Sequence, residues 1–429
     1  MNSPRFVHVE QSFPNRAIPD IEDHIRRELA SSNLVQRIPK GARIAIGVGS
    51  RGIANIARIT KAVVDFWKEH GAHPFIIPAM GSHGAATAEG QSTVLAHYGI
   101  HEATMGVPVI SSLGVVPLGK TPDGIETFMD KNAYDADGVF LIARVKWHTD
   151  FAGAIESGLF KMMAIGLGKF AGAQRYHTFA YRMGLEQMIR SVGASVFSTG
   201  KILGGLAIQE GAFHETGGLT VVSTAQGLAA MVAQEEALLS EVKSWMSTLP
   251  APEIDILIVD EIGKNISGAG MDTKVVNRGV QGQYNPWPGI PRFERVFVRD
   301  LSELTYNSAV GLGMADIVTD RLVNRTDWAP TLVNSLTANT PAAIRTPIHF
   351  PTDRECLERI APTVGKLDLD QVTYGWIRNT MELGRLALSE NLRPVVERNP
   401  DLEIEATIDF EFAGSGNLIS PFESVAAMH

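Results

Sequence analysis

The sequence predicts an α/β protein with two domains. Short apolar runs alternate with segments whose apolar residues recur at helical spacing, which is typical of parallel sheets covered by helices. A proline-rich break at residues 249–252 separates a long predicted helix from a new apolar run. We therefore expect an N-terminal domain of residues 1–249 with a parallel or mixed sheet, and a smaller C-terminal α/β domain of residues 253–402 that closes over an active site in the cleft between them. The final segment, 403–429, is compatible with either domain.

The composition is typical of a globular protein in water. Of the 429 residues, 45% are apolar and 20% are charged. The 47 acidic and 38 basic side chains give a net charge of −9, which argues against nucleic acid and anionic membranes as partners. No run approaches the roughly 18 apolar residues of a membrane-spanning helix, and no apolar signal segment begins the sequence. We expect a cytoplasmic protein that acts on a small molecule, and the oligomeric state stays open.

Cys356 is the only cysteine in the sequence. A single cysteine excludes a disulfide within the chain and a thiolate-rich zinc or iron–sulfur site. Any metal bound here must use histidine, carboxylate, or ligands that a cofactor brings.

The first half of the chain alternates strand and helix patterns. The strongest strand pattern, residues 138–145, is an unbroken apolar run suited to burial on both faces of a sheet. The predicted elements are a helix over 20–33, a strand over 43–48, a helix over 53–70, a strand over 74–80, a helix over 87–98, β runs at 107–110 and 124–128, the strand over 138–145, helices over 156–169 and 178–191, strands over 202–208 and 219–223, and a helix over 226–247.

The second half begins with a buried strand and a glycine-rich loop. Beyond these, the pattern stays mixed. The predicted elements are a strand over 253–263, a loop over 263–279, a strand over 295–301, helices near 308–323, 353–362 and 378–391, and a strand over 403–412.

Three apolar runs end in polar turns, and each turn brings a candidate functional side chain. Arg51 follows the first run, His83 the second and His148 the third. In open parallel sheets, ligands bind beyond the carboxyl ends of the strands, so we expect the three side chains to meet at one edge. Each also has a structural alternative: a surface ion pair for Arg51, an ordinary loop position for His83, and a purely structural role for His148.

The segment 144–177 threads titratable side chains through small and apolar residues. Such groups are costly among apolar neighbours unless they are paired or bound to something. Lys161 either extends to the surface or is buried with a lowered pKa, which makes it nucleophilic. Lys169, further along the same segment, is the competing lysine.

Two charged residues follow the first strand of the second half, Glu261 and Lys264. A lysine after a strand can hold a substrate carboxylate. The alternative is a glycine-rich surface loop without a binding role.

With these residues in view, the sequence resembles the lactate racemase family, the nickel-pincer-nucleotide-dependent 2-hydroxyacid racemases and epimerases. That family has an arginine after the first core strand and a histidine in the next strand-end turn. A third segment then holds a histidine, a lysine and a metal-binding histidine. The residues at these positions here are Arg51, His83, His148, Lys161 and His177. The step from Lys161 to His177 fits the family's lysine-to-histidine step, which favours Lys161 over Lys169.

The resemblance implies a cofactor, the nickel-pincer nucleotide (pyridinium-3,5-bisthiocarboxylic acid mononucleotide nickel). It would be tethered to Lys161 and contacted by Ser50, with its Ni bound by His177. Because the cofactor brings its own sulfur ligands, the implied nickel site needs no cysteine from the protein. The implied chemistry is hydride transfer at C2 of a 2-hydroxy acid, with His83 and His148 as acid and base. The implied substrate-binding residues are Arg51, Lys264 and Glu261.

The sequence also departs from the family pattern. Glu261 stands where the family has a neutral amide, so a carboxylate there repels a simple hydroxyacid or binds an extra hydroxyl. We therefore expect a substrate other than lactate, larger or polyhydroxylated. Two alternatives remain: a metallohydrolase with zinc bound by His83, His148 and His177, and a non-catalytic protein that binds a phosphorylated small molecule.

Overall fold

A computed structural model describes residues 5–49, 52–149 and 151–422. Ser50, Arg51 and Asp150 lie outside the described residues. The chain divides into two compact units, the N-terminal unit of residues 14–246 and the C-terminal unit of residues 5–13 and 247–422. Each unit contains a sheet and helices, which confirms the α/β class. Among the described residues, no helix has the length and apolar character needed to cross a bilayer.

The elements follow one another in a mixed order. The strands are β1 (Arg5–Gln11), β2 (Arg43–Val48), β3 (His73–Pro78), β4 (Val115–Lys120), β5 (Glu126–Asp130), β6 (Gly138–Arg144), β7 (Ile202–Glu210), β8 (Thr216–Ser223), β9 (Glu253–Ile262), β10 (Arg292–Leu301), β11 (Ile317–Thr319), β12 (Ile348–Phe350), β13 (Tyr374–Ile377), β14 (Arg385–Ser389) and β15 (Leu402–Asp409). The helices are α1 (Ile21–Ser31), α2 (Ile56–Glu69), α3 (Ala88–His97), α4 (Glu102–Met105), α5 (Lys131–Asp135), α6 (Gly158–Lys161), α7 (Leu167–Met183), α8 (Leu185–Phe197), α9 (Leu228–Trp245), α10 (Thr273–Val276), α11 (Asp320–Arg325), α12 (Trp328–Thr337), α13 (Asp353–Ile360) and α14 (Arg393–Glu397).

The N-terminal unit is built on a sheet with the strand order β3-β2-β6-β7-β8. The pairs β3–β2, β2–β6 and β6–β7 are parallel, and β8 runs antiparallel to β7. Parallel strands with helices on both faces read as continuous apolar runs, which explains why β6 is buried along almost its whole length. Helices α1, α2 and α3 pack on one face, and α6 to α9 with the β4–β5 hairpin pack on the other.

The C-terminal unit is built on a sheet with the strand order β12-β11-β10-β9-β13-β14-β1-β15. The strands from β12 to β13 are parallel, and the remaining pairs are antiparallel. The first strand of the chain therefore lies between two strands from its end.

This pairing makes the compact units differ from the predicted domains at the start of the chain. Residues 5–13 were predicted within the N-terminal domain, but β1 forms backbone ladders with β14 and β15. The final strand, for which either domain was open, lies in the C-terminal unit. Local periodicity predicts that a strand forms, but not which distant strand it pairs with.

Two of the predicted helices are also corrected. Residues 378–391 contain the strand β14, whose Leu386 and Leu388 are fully buried. The stretch 308–323 contains a turn and β11, and the helix α11 begins only at Asp320. Short apolar runs do not distinguish a buried strand from a helix by periodicity alone, and sheet pairing decided these cases.

Candidate active site

Three neighbouring strands of the N-terminal unit end at the same edge of the sheet. Val48 at the end of β2 pairs with Pro78 at the end of β3 and with Ile142 near the end of β6. The polar turns predicted as functional leave from this edge. Two predicted residues of the first turn, Ser50 and Arg51, lie outside the described residues.

The turn after β3 carries His83, which is exposed to solvent. Gly81 and Gly84 have positive φ angles, and the next two residues, Ala85 and Ala86, have φ angles of 55° and 54°. Left-handed backbone costs a non-glycine residue roughly 1–3 kcal/mol unless the surroundings impose it. The backbone around His83 is therefore held by contacts from elsewhere in the fold.

The turn after β6 carries His148, which is half-buried and lies beside the Phe151 ring, with 4.8 Å between centroids. The fully buried Glu156 accepts hydrogen bonds from the backbone N–H of His148 at 2.5 Å and of Gly153 at 2.9 Å. The ammonium of Lys243 lies 2.5 Å from the same carboxylate. A charge-assisted contact of this kind fixes the backbone from which the imidazole projects.

The first turn is anchored from two other strands. Arg144 on β6 donates to the carbonyl of Gly52 at 3.0 Å and forms an ion pair at 2.5 Å with Glu210, the last residue of β7. The other Glu210 oxygen accepts from the backbone of Ala54 at 2.8 Å. These contacts hold residues 52–54, immediately after the predicted Ser50 and Arg51.

Lys161 is the last residue of α6, and a π-helical turn over Met162–Gly166 follows it directly. A Cβ on Gly166 would lie 2.8 Å from the carbonyl oxygen of Ala79, so only glycine allows this approach. The backbone N–H of Gly81 donates to the carbonyl of Gly166 at 3.4 Å. The turn therefore packs against the chain just beyond β3. Single π-turns inside helices occur frequently at functional sites.

The structure distinguishes the two candidate lysines by burial. Lys161 is half-buried, whereas Lys169 is fully buried and forms an ion pair at 2.9 Å with Asp130, which is also fully buried. Burial lowers the pKa of Lys169, and the carboxylate of Asp130 opposes that shift. Because its ammonium is enclosed and paired, Lys169 is a poor anchor for a cofactor.

His177 lies on α7 and is exposed, one residue after the fully buried Tyr176. The Tyr176 hydroxyl accepts from the backbone N–H of Phe128 at 3.1 Å, and burial raises the pKa of Tyr176 to about 12. This hydrogen bond ties α7 to β5. It thereby fixes the part of the helix that carries His177.

We next consider whether protein side chains alone could form a metal site. In residues 5–49, 52–149 and 151–422, no group of three or more histidine, cysteine, aspartate or glutamate side chains could hold a metal ion. The triad of His83, His148 and His177 that the hydrolase alternative requires therefore does not assemble. Cys356 is buried in the C-terminal unit, and burial raises its pKa to about 12.

The C-terminal unit positions the other two predicted residues at the end of β9. Glu261 accepts from the side-chain amide of Asn379 at 3.1 Å and lies 3.4 Å from the guanidinium of Arg378. The ammonium of Lys264 donates to the carbonyl of Gly268 in its own loop at 2.8 Å. The guanidinium of Arg378 thus lies beside Glu261 and balances the charge of this carboxylate.

Sequence reasoning gave no role to several buried polar residues. Glu235 lies on the face of α9 that also carries Met231, Leu238 and Leu239, and all four are buried. A carboxylate in the apolar stripe of a predicted helix is a signal that the sequence contains. Lys274, which is 4% exposed with its ammonium 4.3 Å from the centroid of the Trp287 ring, had no comparable signal.

Comparisons with known proteins give low similarity. No family model and no curated protein sequence matches the chain. The chain is similar in structure to the lactate racemase apoprotein from Thermoanaerobacterium thermosaccharolyticum, with a TM-score of 0.48 and 14% identity, covering 93% of this chain and 96% of that one. It is also similar to a structural-genomics target from Thermotoga maritima, with a TM-score of 0.46 and 15% identity, covering 67% of this chain and 72% of that one.

Proposed function

We propose that this protein is a racemase or epimerase that inverts C2 of a 2-hydroxy acid with a nickel-pincer nucleotide. One observation carries the proposal. The turns after β2, β3 and β6 leave from one edge of a parallel sheet, and the π-turn that follows Lys161 packs beside the second of them. Titratable groups at the carboxyl ends of parallel strands are the usual setting of an α/β active site.

The side chains present fit this cofactor. Lys161 would supply an amine for the tether and His177 an imidazole for the nickel. Because the thiol of Cys356 is buried, the sulfur ligands would come from the nucleotide. The chemistry that the bound nucleotide supplies is reversible hydride acceptance at its pyridinium ring. Ser50 is proposed as a further contact to the nucleotide.

The protein's own residues move the proton and bind the acid. One of His83 and His148 removes the hydroxyl proton as C2 is oxidised to the 2-keto acid. The other returns a proton to that oxygen as the opposite configuration forms, since an imidazole can serve as either acid or base. Arg51 is proposed to bind the substrate carboxylate.

We propose a substrate other than lactate, with Lys264 and Glu261 as substrate-binding residues. Glu261 is half-buried and oriented by Asn379 and Arg378. An oriented carboxylate is a strong acceptor for a hydroxyl group. An acid with a second hydroxyl therefore suits it better than lactate does. A panel of chiral hydroxy acids, assayed for inversion at C2 by chiral chromatography, tests this.

The tether is tested with Lys161→Ala, produced together with the enzymes that build the nucleotide. We expect the wild type to carry a mass increment on Lys161 and one equivalent of nickel, and the variant to carry neither, because no other amine occupies that position. Intact mass, peptide mapping and metal analysis measure this.

Lys201→Ala is the matched control, since Lys201 is also half-buried but immediately precedes β7 at the opposite edge of the sheet. This control should retain both the increment and the nickel. A fully metallated Lys161→Ala, or an increment found on Lys169, would contradict the assignment.

A further inference from the structure

Lys169 is at the centre of a buried polar network beside the His83 turn. Its ammonium lies 2.9 Å from a carboxylate oxygen of Asp130 and donates to the carbonyl of Pro78, the last residue of β3, at 2.5 Å. The side-chain carbonyl of Gln91 lies 3.5 Å away. Lys169, Asp130 and Gln91 are each 0% exposed. The network thus joins three elements, α7, β5 and α3, to the end of β3.

The Gln91 amide extends the network into the turn itself. Its nitrogen donates to the carbonyl of Gly81 at 2.8 Å and to the carbonyl of His83 at 3.3 Å. The side chain that accepts from Lys169 therefore also binds the backbone of the proposed acid–base residue. Because Gln91 is enclosed, no solvent replaces these bonds when they break.

The backbone of Lys169 is itself unusual. Its φ and ψ angles are 54° and −158°, in the middle of a segment that is otherwise helical. Such angles are sparsely populated for any residue other than glycine and persist only where the surroundings impose them. At this interruption the ammonium of Lys169 contacts Asp130 and Pro78, which lie outside its own helix.

A buried ion pair is weak evidence of stability, since apolar residues of similar volume often serve as well or better. Its better-supported use is to select one arrangement among several. Here the arrangement concerned is the His83 turn, whose two left-handed alanines do not favour that backbone on their own.

We propose that Lys169 is a positioning residue for His83: its ion pair with Asp130 orients Gln91, and Gln91 fixes the backbone that carries the imidazole. The proposal rests on the proposed function for the role of His83 but predicts a property of the cofactor-free chain. Lys169 contacts three protein oxygens and acts through them.

Hydrogen–deuterium exchange on the cofactor-free full-length chain tests this. Lys169→Met leaves Asp130 buried without its partner and endangers folding, so Lys169→Met/Asp130→Leu, which removes both charges, is the main variant. Gln91→Leu removes the two donors to the turn and leaves the ion pair in place. Thr127→Val is the matched control, because Thr127 is also 0% exposed on β5 and hydrogen-bonds to Ser195, away from the turn.

We expect amides 79–87 to exchange about tenfold faster or more in the double variant and in Gln91→Leu. Elsewhere in the N-terminal unit, only α5 should change, and only in the double variant, because Asp130 also caps that helix by accepting from the backbone N–H of Ala133 at 2.9 Å. Thr127→Val should match the wild type in this peptide. The rate at which diethyl pyrocarbonate modifies His83 should change in the same two variants only. Wild-type exchange in the double variant would overturn the proposal, whether or not Gln91→Leu loosens the turn.

The cofactor-loaded enzyme gives a second result. Misplacing an acid–base group lowers kcat and shifts the pH profile while KM changes little, and we expect this pattern in both variants. A fall in protein stability alone would not shift the pH profile. If no racemase activity exists, the proposed function fails, but the exchange experiment still decides the role of Lys169.

Discussion

At the scale of single residues, the decisive difference is between two lysines of one segment. Lys161 and Lys169 both lie among apolar neighbours in the sequence. In the structure one is half-buried beside a π-turn, and the other is enclosed with Asp130 as its counter-ion. The spacing to His177 favours Lys161, and burial favours it independently. These two arguments rest on different physical grounds.

The two histidines give the first prediction at this scale. His83→Ala and His148→Ala should each lower the rate of racemisation by at least about 100-fold, whichever enantiomer is the substrate. The reason is that each direction needs one base and one acid. Chiral chromatography with each enantiomer as substrate measures this. Unimpaired turnover after the loss of one imidazole would defeat the two-base scheme.

Control variants separate this result from loss of folding. His70→Ala removes a histidine that follows the end of α2 and whose ring hydrogen-bonds to the Phe66 carbonyl, and it should leave turnover unchanged. If instead the protein only binds a phosphorylated molecule, no variant shows turnover, and both histidine variants keep wild-type affinity.

At the scale of elements, α6 depends on a cap supplied by another helix. Glu235 on α9 accepts from the backbone of Leu159 at 3.0 Å and of Phe160 at 3.2 Å, at the start of α6. Because α6 ends at Lys161, the cap fixes the element that carries the proposed tether. Burial raises the pKa of Glu235 to about 8.

This pKa predicts how stability depends on pH. Unfolding returns the Glu235 pKa from about 8 to its ordinary value of 4.5, so between these values the native state binds the additional proton. The free energy of unfolding should therefore fall as pH rises through this window, by up to about 1.4 kcal/mol per pH unit from this group. Below pH 4.5, the contribution of Glu235 to the free energy of unfolding is fully present.

Glu235→Gln removes the titration and keeps the shape. Urea unfolding at pH 5, 6, 7 and 8 should show a flatter profile for this variant than for the wild type. Glu236→Gln, which changes the neighbouring and partly exposed carboxylate that pairs with Arg190, should keep the wild-type slope. Equal slopes for Glu235→Gln and the wild type would refute the assignment to Glu235.

The sequence predicted the strands of the candidate site well because their signal is local. The apolar runs at 43–48, 74–80 and 138–145 became β2, β3 and β6, and their register brings their ends together. The stretch 378–391 failed because its apolar residues fit both periods. Only pairing with β13 and β1 decided that β14 is a strand.

At the scale of the whole molecule, β1 is the first strand of the chain but belongs to the C-terminal unit. Phe6, Val7 and Val9 are each 0% exposed and pack within the C-terminal unit. Burial of each such side chain contributes about 1.5–3 kcal/mol. Without β1, the strands β14 and β15 lose their shared partner.

Deletion of residues 1–12 should therefore destabilise the C-terminal unit selectively. We expect faster proteolysis and amide exchange across residues 247–422, with residues 14–246 unchanged. A peptide of residues 1–13 added in trans should restore protection, and Glu10→Ala, at an exposed position of β1, should have no effect. Equal protection with and without β1 would contradict this account.

The sequence by itself determined the α/β class, the central strands of the candidate site and the polar residues that follow them. These depend on local periodicity and on residue chemistry, both readable within a short window. Only the tertiary structure decided that Lys169 is enclosed, that Gln91 binds the His83 turn, and that β1 lies between β14 and β15. Burial and strand pairing are set by contacts between residues far apart in the chain, and a single sequence does not encode those contacts in any local pattern.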